Sequence, residues 1–274
     1  METNIQAAAR LITNADALLI SAGAGIGVDS GLPDFRGDEG FWKAYPPFEA
    51  LGLRFVDAAN PRGFQSDAAQ SWGFYGHRFE LYNRTEPHEG FQILRRWARE
   101  KSSFVFTSNV DGQFQKAGFD ERRIVECHGS LQFWQCVEPC CDATWPADAS
   151  QLDIDEESFR AQEPLPSCPH CDQIARPNVL MFGDGAWIWN RTQEQQNQME
   201  AWAAGLSGAE MVIIEIGAGR AIPTVRNLGE ELQRSGAHLI RINPRESEGR
   251  AGTISIATGA LEALRSIEQE INHR

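Results

Sequence analysis

The sequence predicts an α/β protein: a parallel sheet with helices on both faces, broken by two inserts. Three observations carry this. Short apolar runs alternate with amphipathic segments along most of the 274 residues. Two of those runs end in glycine-rich turns, Gly23-Ala24-Gly25 and Gly217-Ala218-Gly219. The alternation lapses twice, in an aromatic-rich stretch and in a cysteine-rich one.

Taken in order, residues 4–14 read as a helix with an apolar stripe of Ile5, Ala8, Leu11 and Ile12. Ala17 to Ser21 is continuously apolar, as a strand buried on both faces must be, and runs into the first glycine turn. Residues 33–86 carry many aromatics and predict a mobile loop with a few helices. A helix over about 87–100 leads to strands at Phe104–Thr107 and Ile124–Cys127. After the second lapse, at about 132–178, the rhythm resumes. Helices are expected near 190–205, 222–235 and 259–271, and strands at Met211–Ile216, His238–Ile242 and Thr253–Ala257.

The second lapse holds five of the six cysteines. Cys136 and Cys140 form a C-x3-C pair, and Cys168 and Cys171 a C-x2-C pair. Two such pairs joined by a loop supply the four thiolates of a tetrahedral structural zinc site. Pro139, Asp142 and Pro169 add turn chemistry at both knuckles. A disulfide pair is the alternative, and the lack of an export signal at the start of the sequence disfavours it. Cys141 competes with Cys140 as ligand, whereas Cys127 lies in an apolar run and reads as a small buried residue. The net charge is −13. That balance disfavours nucleic acid and anionic membranes as partners, but leaves room for a local basic pocket. The strongly apolar run Met211–Ile216 is too short to span a bilayer, and a cytoplasmic protein is expected.

A strand entering a glycine turn lets a backbone approach a pyrophosphate, although a G-x-G turn alone is weak evidence. The residues that follow strengthen it. Gly25-Ile26-Gly27-Val28-Asp29-Ser30-Gly31-Leu32-Pro33-Asp34-Phe35-Arg36-Gly37 resembles the signature of the sirtuin family. Thr107-Ser108-Asn109-Val110-Asp111, Glu126-Cys127-His128-Gly129-Ser130 and Arg176-Pro177-Asn178-Val179-Leu180-Met181-Phe182-Gly183-Asp184 resemble further sirtuin motifs in the family's order. The cysteine pairs fall where the family binds structural zinc. The resemblance spans roughly residues 5–265.

The resemblance implies a Rossmann-like NAD-binding domain (1–35, 87–131 and 179–274), a cofactor loop and helical insert (36–86) and a zinc-binding module (132–178). It implies NAD-dependent deacylation of an acylated lysine peptide or protein. His128 becomes the general base on a ribose hydroxyl, a role suited to a group that titrates near neutrality. Asn109 orders the ribose and its water, and Asp111 accepts from the nicotinamide amide; a turn residue and an N-cap are their structural alternatives. Phe35 covers the reacting sugar, Arg36 meets the pyrophosphate and Asp34 orients their loop. A core aromatic and a surface ion pair are the alternatives for Phe35 and Arg36. Gly23, Ala24, Gly25 and Ile26 bring backbone donors toward the phosphates. Ser108, Gly217, Ala218 and Asn243 complete the cofactor contacts.

Tyr75 and Arg78 have the Y-x-x-R spacing of sirtuins that remove succinyl or malonyl groups. On a helix they share a face, where a phenol and a guanidinium suit a distal carboxylate; an amphipathic helix with incidental Tyr and Arg is the alternative. The sequence also departs from the family. Ser108 stands where Gln is usual, Gly217-Ala218-Gly219-Arg220 replaces a GTS run, and Asp184 replaces Glu ahead of Trp187 and Trp189. These changes keep NAD chemistry and open other acceptors: an NAD hydrolase or ADP-ribosyltransferase, or a noncatalytic NAD- or ADP-ribose-binding module.

Overall fold

The structure is a computed structural model that describes residues 2–34, 37–50, 52–155 and 157–273. The chain opens with helix α1 (Asn4–Asn14). Its first turn is closed reciprocally, Thr3 Oγ1 accepting from the Gln6 amide and the Gln6 side chain from the Thr3 amide. Strand β1 (Ala17–Ala22) follows and is buried throughout. The first insert contains α2 (Gly37–Ala44), α3 (Pro46–Ala50), α4 (Phe55–Ala58), α5 (Arg62–Ser66) and α6 (Ala68–Arg84). Then come α7 (Glu89–Arg99), β2 (Ser102–Thr107), α8 (Gln113–Lys116) and β3 (Ile124–Glu126). The cysteine-rich segment forms β4 (Gly129–Cys136), β5 (Thr144–Pro146), the short pair β6 (Ile154–Asp155) and β7 (Arg160–Ala161), and β8 (Ala175–Val179). The last part alternates: α9 (Asn190–Ala204), β9 (Met211–Ile216), α10 (Thr224–Arg234), β10 (His238–Ile242), β11 (Ile254–Ile256) and α11 (Ala260–Asn272).

Six strands form one sheet in the order β11-β10-β9-β1-β2-β3. All its pairings are parallel, with Ile20 of β1 between Val105 and Ile214. The chain reverses direction of growth between β1 and β9, so a crevice opens at the carboxyl ends of these two strands. Both faces are covered, and for that reason the strands are mostly apolar, with the buried Glu215 and Arg241 of β9 and β10 paired to each other. Leu18, Ile20 and Ala22 face a core shared with α1, α7 and α11. Ala17 and Leu19 face the opposite core, with Trp202 of α9 and Val225 of α10.

A third core joins the two inserts. Phe41, Tyr45, Phe74 and Tyr75 pack with Leu131 and Trp134, and the Trp72 and Trp134 rings meet edge to face at 5.1 Å. β4 lies between β5 and β8, antiparallel to both. Asp67 ties the inserts together: its side chain caps α6 and pairs with both terminal nitrogens of Arg160 at 2.8 Å. No helix among the described residues is long and apolar enough to cross a membrane.

Candidate active site

The two glycine turns meet at the crevice. A Cβ on Gly25 would lie 2.7 Å from the Gly217 Cα, and one on Gly217, which sits at φ +65°, would lie 2.4 Å from the Ile26 nitrogen. Backbone packs on backbone here, and only glycine permits it. The amides of Gly23, Gly25 and Ile26 donate to the carbonyls of Ile216, Gly217 and Gly23 at 3.0–3.1 Å. Three amides of the first turn are thus engaged within the fold. The turn's fit to a pyrophosphate lies in close approach, with Ala24 at the cavity wall.

Beside the turns is a cavity of about 550 Å³, a size suited to a small-molecule ligand. Gly23, Ala24, Gly25, Asp34, Gly217 and Ala218 line one side. Ser108, Asn109, Asp111 and His128 line the cavity as well, as do the buried Tyr75 and Arg78. Three predicted contacts fall elsewhere or do more than expected. Ile26 is fully buried in the core beneath the turn. Asn243 is buried behind the second turn, its amide donating to the Ala218 carbonyl at 3.0 Å while its oxygen accepts from the Arg245 and Glu246 amides. It shapes the turn instead of lining the cavity. Asn109 does line the cavity and also bridges its walls, donating to the Gly23 carbonyl at 3.2 Å. Phe35 and Arg36 lie outside the described residues.

His128 follows β3, which α9 clamps: Thr192 donates to the Glu126 carbonyl at 3.0 Å, and Arg191 pairs with the Glu126 carboxylate. Burial pushes the His128 imidazole below its ordinary value, against an opposing hydrogen bond to the Ser108 backbone. The ring is thus kept neutral and able to accept a proton. Asp111 is pushed the other way. Burial raises its carboxyl from 3.8 to about 6, despite a 3.0 Å bond from the Gln113 amide and the attraction of Arg78. The N-cap of α8 is Gly112, not Asp111, so that alternative role is not met; Asp111 takes the Gln113 amide from one residue further out while lining the cavity. Cys127, next to His128, is pushed up to about 12 by burial and stays a thiol.

Arg78 is buried and ringed by aromatics, its guanidinium 5.1 Å from the Phe74 ring centroid, 5.6 Å from Tyr75 and 5.4 Å from Tyr82. Its Nε and Nη2 donate to the Tyr82 hydroxyl at 3.1 and 2.9 Å. Burial raises the Tyr75 phenol to about 12, so it remains a hydrogen-bond donor. Sequence reasoning missed Tyr82. Its signal was the i, i+4 spacing from Arg78 on one helix.

At the cavity mouth Leu180 and Phe182 line the wall and are partly exposed. The Leu180 amide donates to the His128 carbonyl at 2.9 Å. Asp184 anchors this segment: it takes both terminal nitrogens of Arg176 at 2.8 and 2.9 Å, and both side chains are fully buried. Trp187 and Trp189 are not among the lining residues.

The Sγ atoms of Cys136, Cys140, Cys168 and Cys171 all lie within 4.8 Å of one another. Cys136–Cys171 and Cys140–Cys168 are separated by 3.6 and 3.8 Å. Four thiolates about 2.3 Å from a tetrahedral zinc ion stand roughly 3.8 Å apart, so the set fits Zn²⁺ with no open coordination position. Cys141 is exposed beside Cys140 and outside this group.

Fold and site together define a doubly wound nucleotide-binding protein with a four-cysteine metal module beside its cavity. The sequence profile of the Sir2 family matches residues 23–208. An NAD-dependent protein deacylase of Aeropyrum pernix is 30% identical over 86% of this chain and 84% of its own. An NAD-dependent protein deacylase of Thermus thermophilus is 28% identical over 95% of this chain and 92% of its own. A Sir2 homologue mutant in complex with ADP ribose superposes with TM-score 0.73 at 25% identity, covering 98% of both chains. The chain belongs to the Sir2 family.

Proposed function

We propose that the chain is an NAD-dependent protein-lysine deacylase of the cytoplasm, releasing nicotinamide and forming an O-acyl-ADP-ribose. The observation that carries the reading is the convergence of the glycine turns, Asn109, Asp111 and a neutral His128 on one cavity. Bound NAD supplies a ribose activated by its nicotinamide leaving group, and the acyl oxygen of the modified lysine is the nucleophile. His128 takes the proton of a ribose hydroxyl, Asn109 orients the sugar and Asp111 accepts from the nicotinamide amide. Phe35 and Arg36 belong to the cofactor loop in this reading, and Asn243 supports the adenine side indirectly. The division into an NAD-binding domain, a helical insert and a zinc module belongs to the same proposal. The zinc is structural, and exposed thiols around it suit a reducing compartment.

The mouth favours a peptide acceptor over water. Leu180 and Phe182 offer partly exposed apolar surface at the cavity wall, and the two tryptophans leave that wall open. Within the cavity, Tyr75 and Arg78 suit an acyl chain ending in a carboxylate, which makes succinyl- or malonyl-lysine the preferred substrate.

Product analysis by mass spectrometry tests the reading. Protein, NAD and a panel of unmodified, acetyl-, succinyl- and malonyl-lysine peptides are mixed. Acyl-ADP-ribose that forms only with an acylated peptide is the expected result, and His128→Ala should abolish it while retaining NAD binding. Free ADP-ribose without peptide identifies a hydrolase, and a mass gain on protein a transferase.

A further inference from the structure

His128 has a partner that its motif does not supply. Nε2 lies 3.2 Å from Oγ1 of Thr224, 96 residues further along the chain. The direction of this bond follows from the rest of the ring. The Ser108 backbone takes a ring N–H, and burial keeps the imidazole neutral. A neutral imidazole has one donor and one acceptor nitrogen. With the ring proton on Nδ1, toward the Ser108 backbone, Nε2 is the acceptor and the Thr224 hydroxyl donates to it.

Thr224 is itself rigidly placed. It opens α10, with its N-terminus toward the imidazole, and the next residue, Val225, is buried in the cavity wall. One residue on, buried Arg226 donates to the carbonyls of Ala218, Glu246 and Glu248 at 3.4, 2.8 and 3.1 Å. The first turn of α10 is thereby pinned to the second glycine turn, and the hydroxyl cannot drift from the ring.

We propose that Thr224 is the positioning residue of the general base: its hydroxyl fixes the rotation and tautomer of His128 so that Nε2 meets a bound ribose with its lone pair available. This rests on the reading of His128 as the base. When the sugar binds, its hydroxyl replaces Thr224 at Nε2. The ribose proton then moves to Nε2, while Thr224, held by the pinned first turn of α10, keeps its own proton and turns its oxygen to the Nε2–H that forms.

The test uses the full chain. Thr224→Val keeps the branched shape and removes the hydroxyl. It should lower kcat for nicotinamide release roughly fivefold to tenfold, the loss of one hydrogen bond, with the KM for NAD unchanged. Thr224→Ser should restore kcat. In spectra of ring-¹⁵N-labelled histidine, the His128 signal, identified by its loss in His128→Ala, should shift in Thr224→Val and return in Thr224→Ser. Wild-type kcat and an unmoved His128 signal in Thr224→Val overturn the proposal, as does an equal loss in Thr224→Ser. If Thr224→Val does not fold, Thr224→Ala is judged by the same two readouts. An active His128→Ala overturns the base and the inference together, whereas an inactive His128→Ala beside a fully active Thr224→Val overturns the inference alone.

Discussion

Asp111→Asn should make the unliganded protein more stable and a worse enzyme. The folded state holds the Asp111 carboxyl at about 6 against an ordinary 3.8. At about 1.4 kcal/mol per tenfold, that costs about 3 kcal/mol once the group is ionised. The sign follows from the raised value: the native state binds the proton more tightly than the unfolded chain. The wild type is therefore least burdened below 3.8, loses stability as pH climbs to about 6, and bears the full cost above that. Asparagine removes the charge and keeps an oxygen for the Gln113 amide, now bonded at 3.0 Å. Urea unfolding at two pH values reads the difference. Asp111→Asn should exceed the wild type by about 3 kcal/mol at pH 8 and by roughly half that at pH 5. Nicotinamide release should fall in the same variant. A variant less stable than the wild type at pH 8, or a gap equal at both pH values, would refute the reasoning.

Other outcomes follow from the same geometry. Asp184→Asn leaves the fully buried Arg176 without its counter-charge, and denaturation should show a loss of about 3–5 kcal/mol. Arg78→Met should cut kcat/KM for a succinyl-lysine peptide by about tenfold or more and leave an acetyl-lysine peptide within about threefold; equal losses on both would remove Arg78 from acyl selection. Chelation of zinc should disorder the module that carries Trp134 and Trp145, seen as loss of near-ultraviolet circular dichroism, before NAD binding is lost; turnover lost with fold and NAD affinity intact would make the metal catalytic. Burial holds His128 below its ordinary value of 6.5. The acid limb of the kcat/KM profile should accordingly lie below that pH, and a limb above it would mean that another group is the base.

The main sheet was legible because a parallel sheet buried on both faces demands largely apolar runs. Met211–Ile216 and His238–Ile242 begin and end where those runs do. The two-residue strands Ile154–Asp155 and Arg160–Ala161 left no such mark, since a period cannot show in two residues. The same contrast holds in the site. Tyr75 and Arg78 are readable as a helical face, and Tyr82 extends it by one turn. Thr224 is not readable, because its contact with His128 joins residues that only the closure of the sheet brings together. The glycine turns were legible as glycine but not in detail. Sequence suggests a backbone's approach to a phosphate, and the structure adds that Gly25 and Gly217 are needed because two backbones cross within van der Waals contact.

The cavity shows why sequence charge is a poor guide to local charge. The chain carries a net −13, yet one of the groups lining the cavity is the buried cation Arg78. The chain has three tyrosines, and all of them, Tyr45, Tyr75 and Tyr82, act on that guanidinium. Phenols are suited to this place. Burial pushes Tyr75 up to about 12, so it stays neutral and donates, and the ring faces stabilise the cation without cancelling its charge. A carboxylate in place of one of these phenols would offset the guanidinium charge and weaken its attraction for an anionic acyl group. Asp111 is the acid that also acts across this space, and its carboxylate and the Arg78 guanidinium attract one another. Aromatic rings thus surround a buried guanidinium inside an acidic protein, and the proposed preference for a carboxylate-tipped acyl chain draws on that setting.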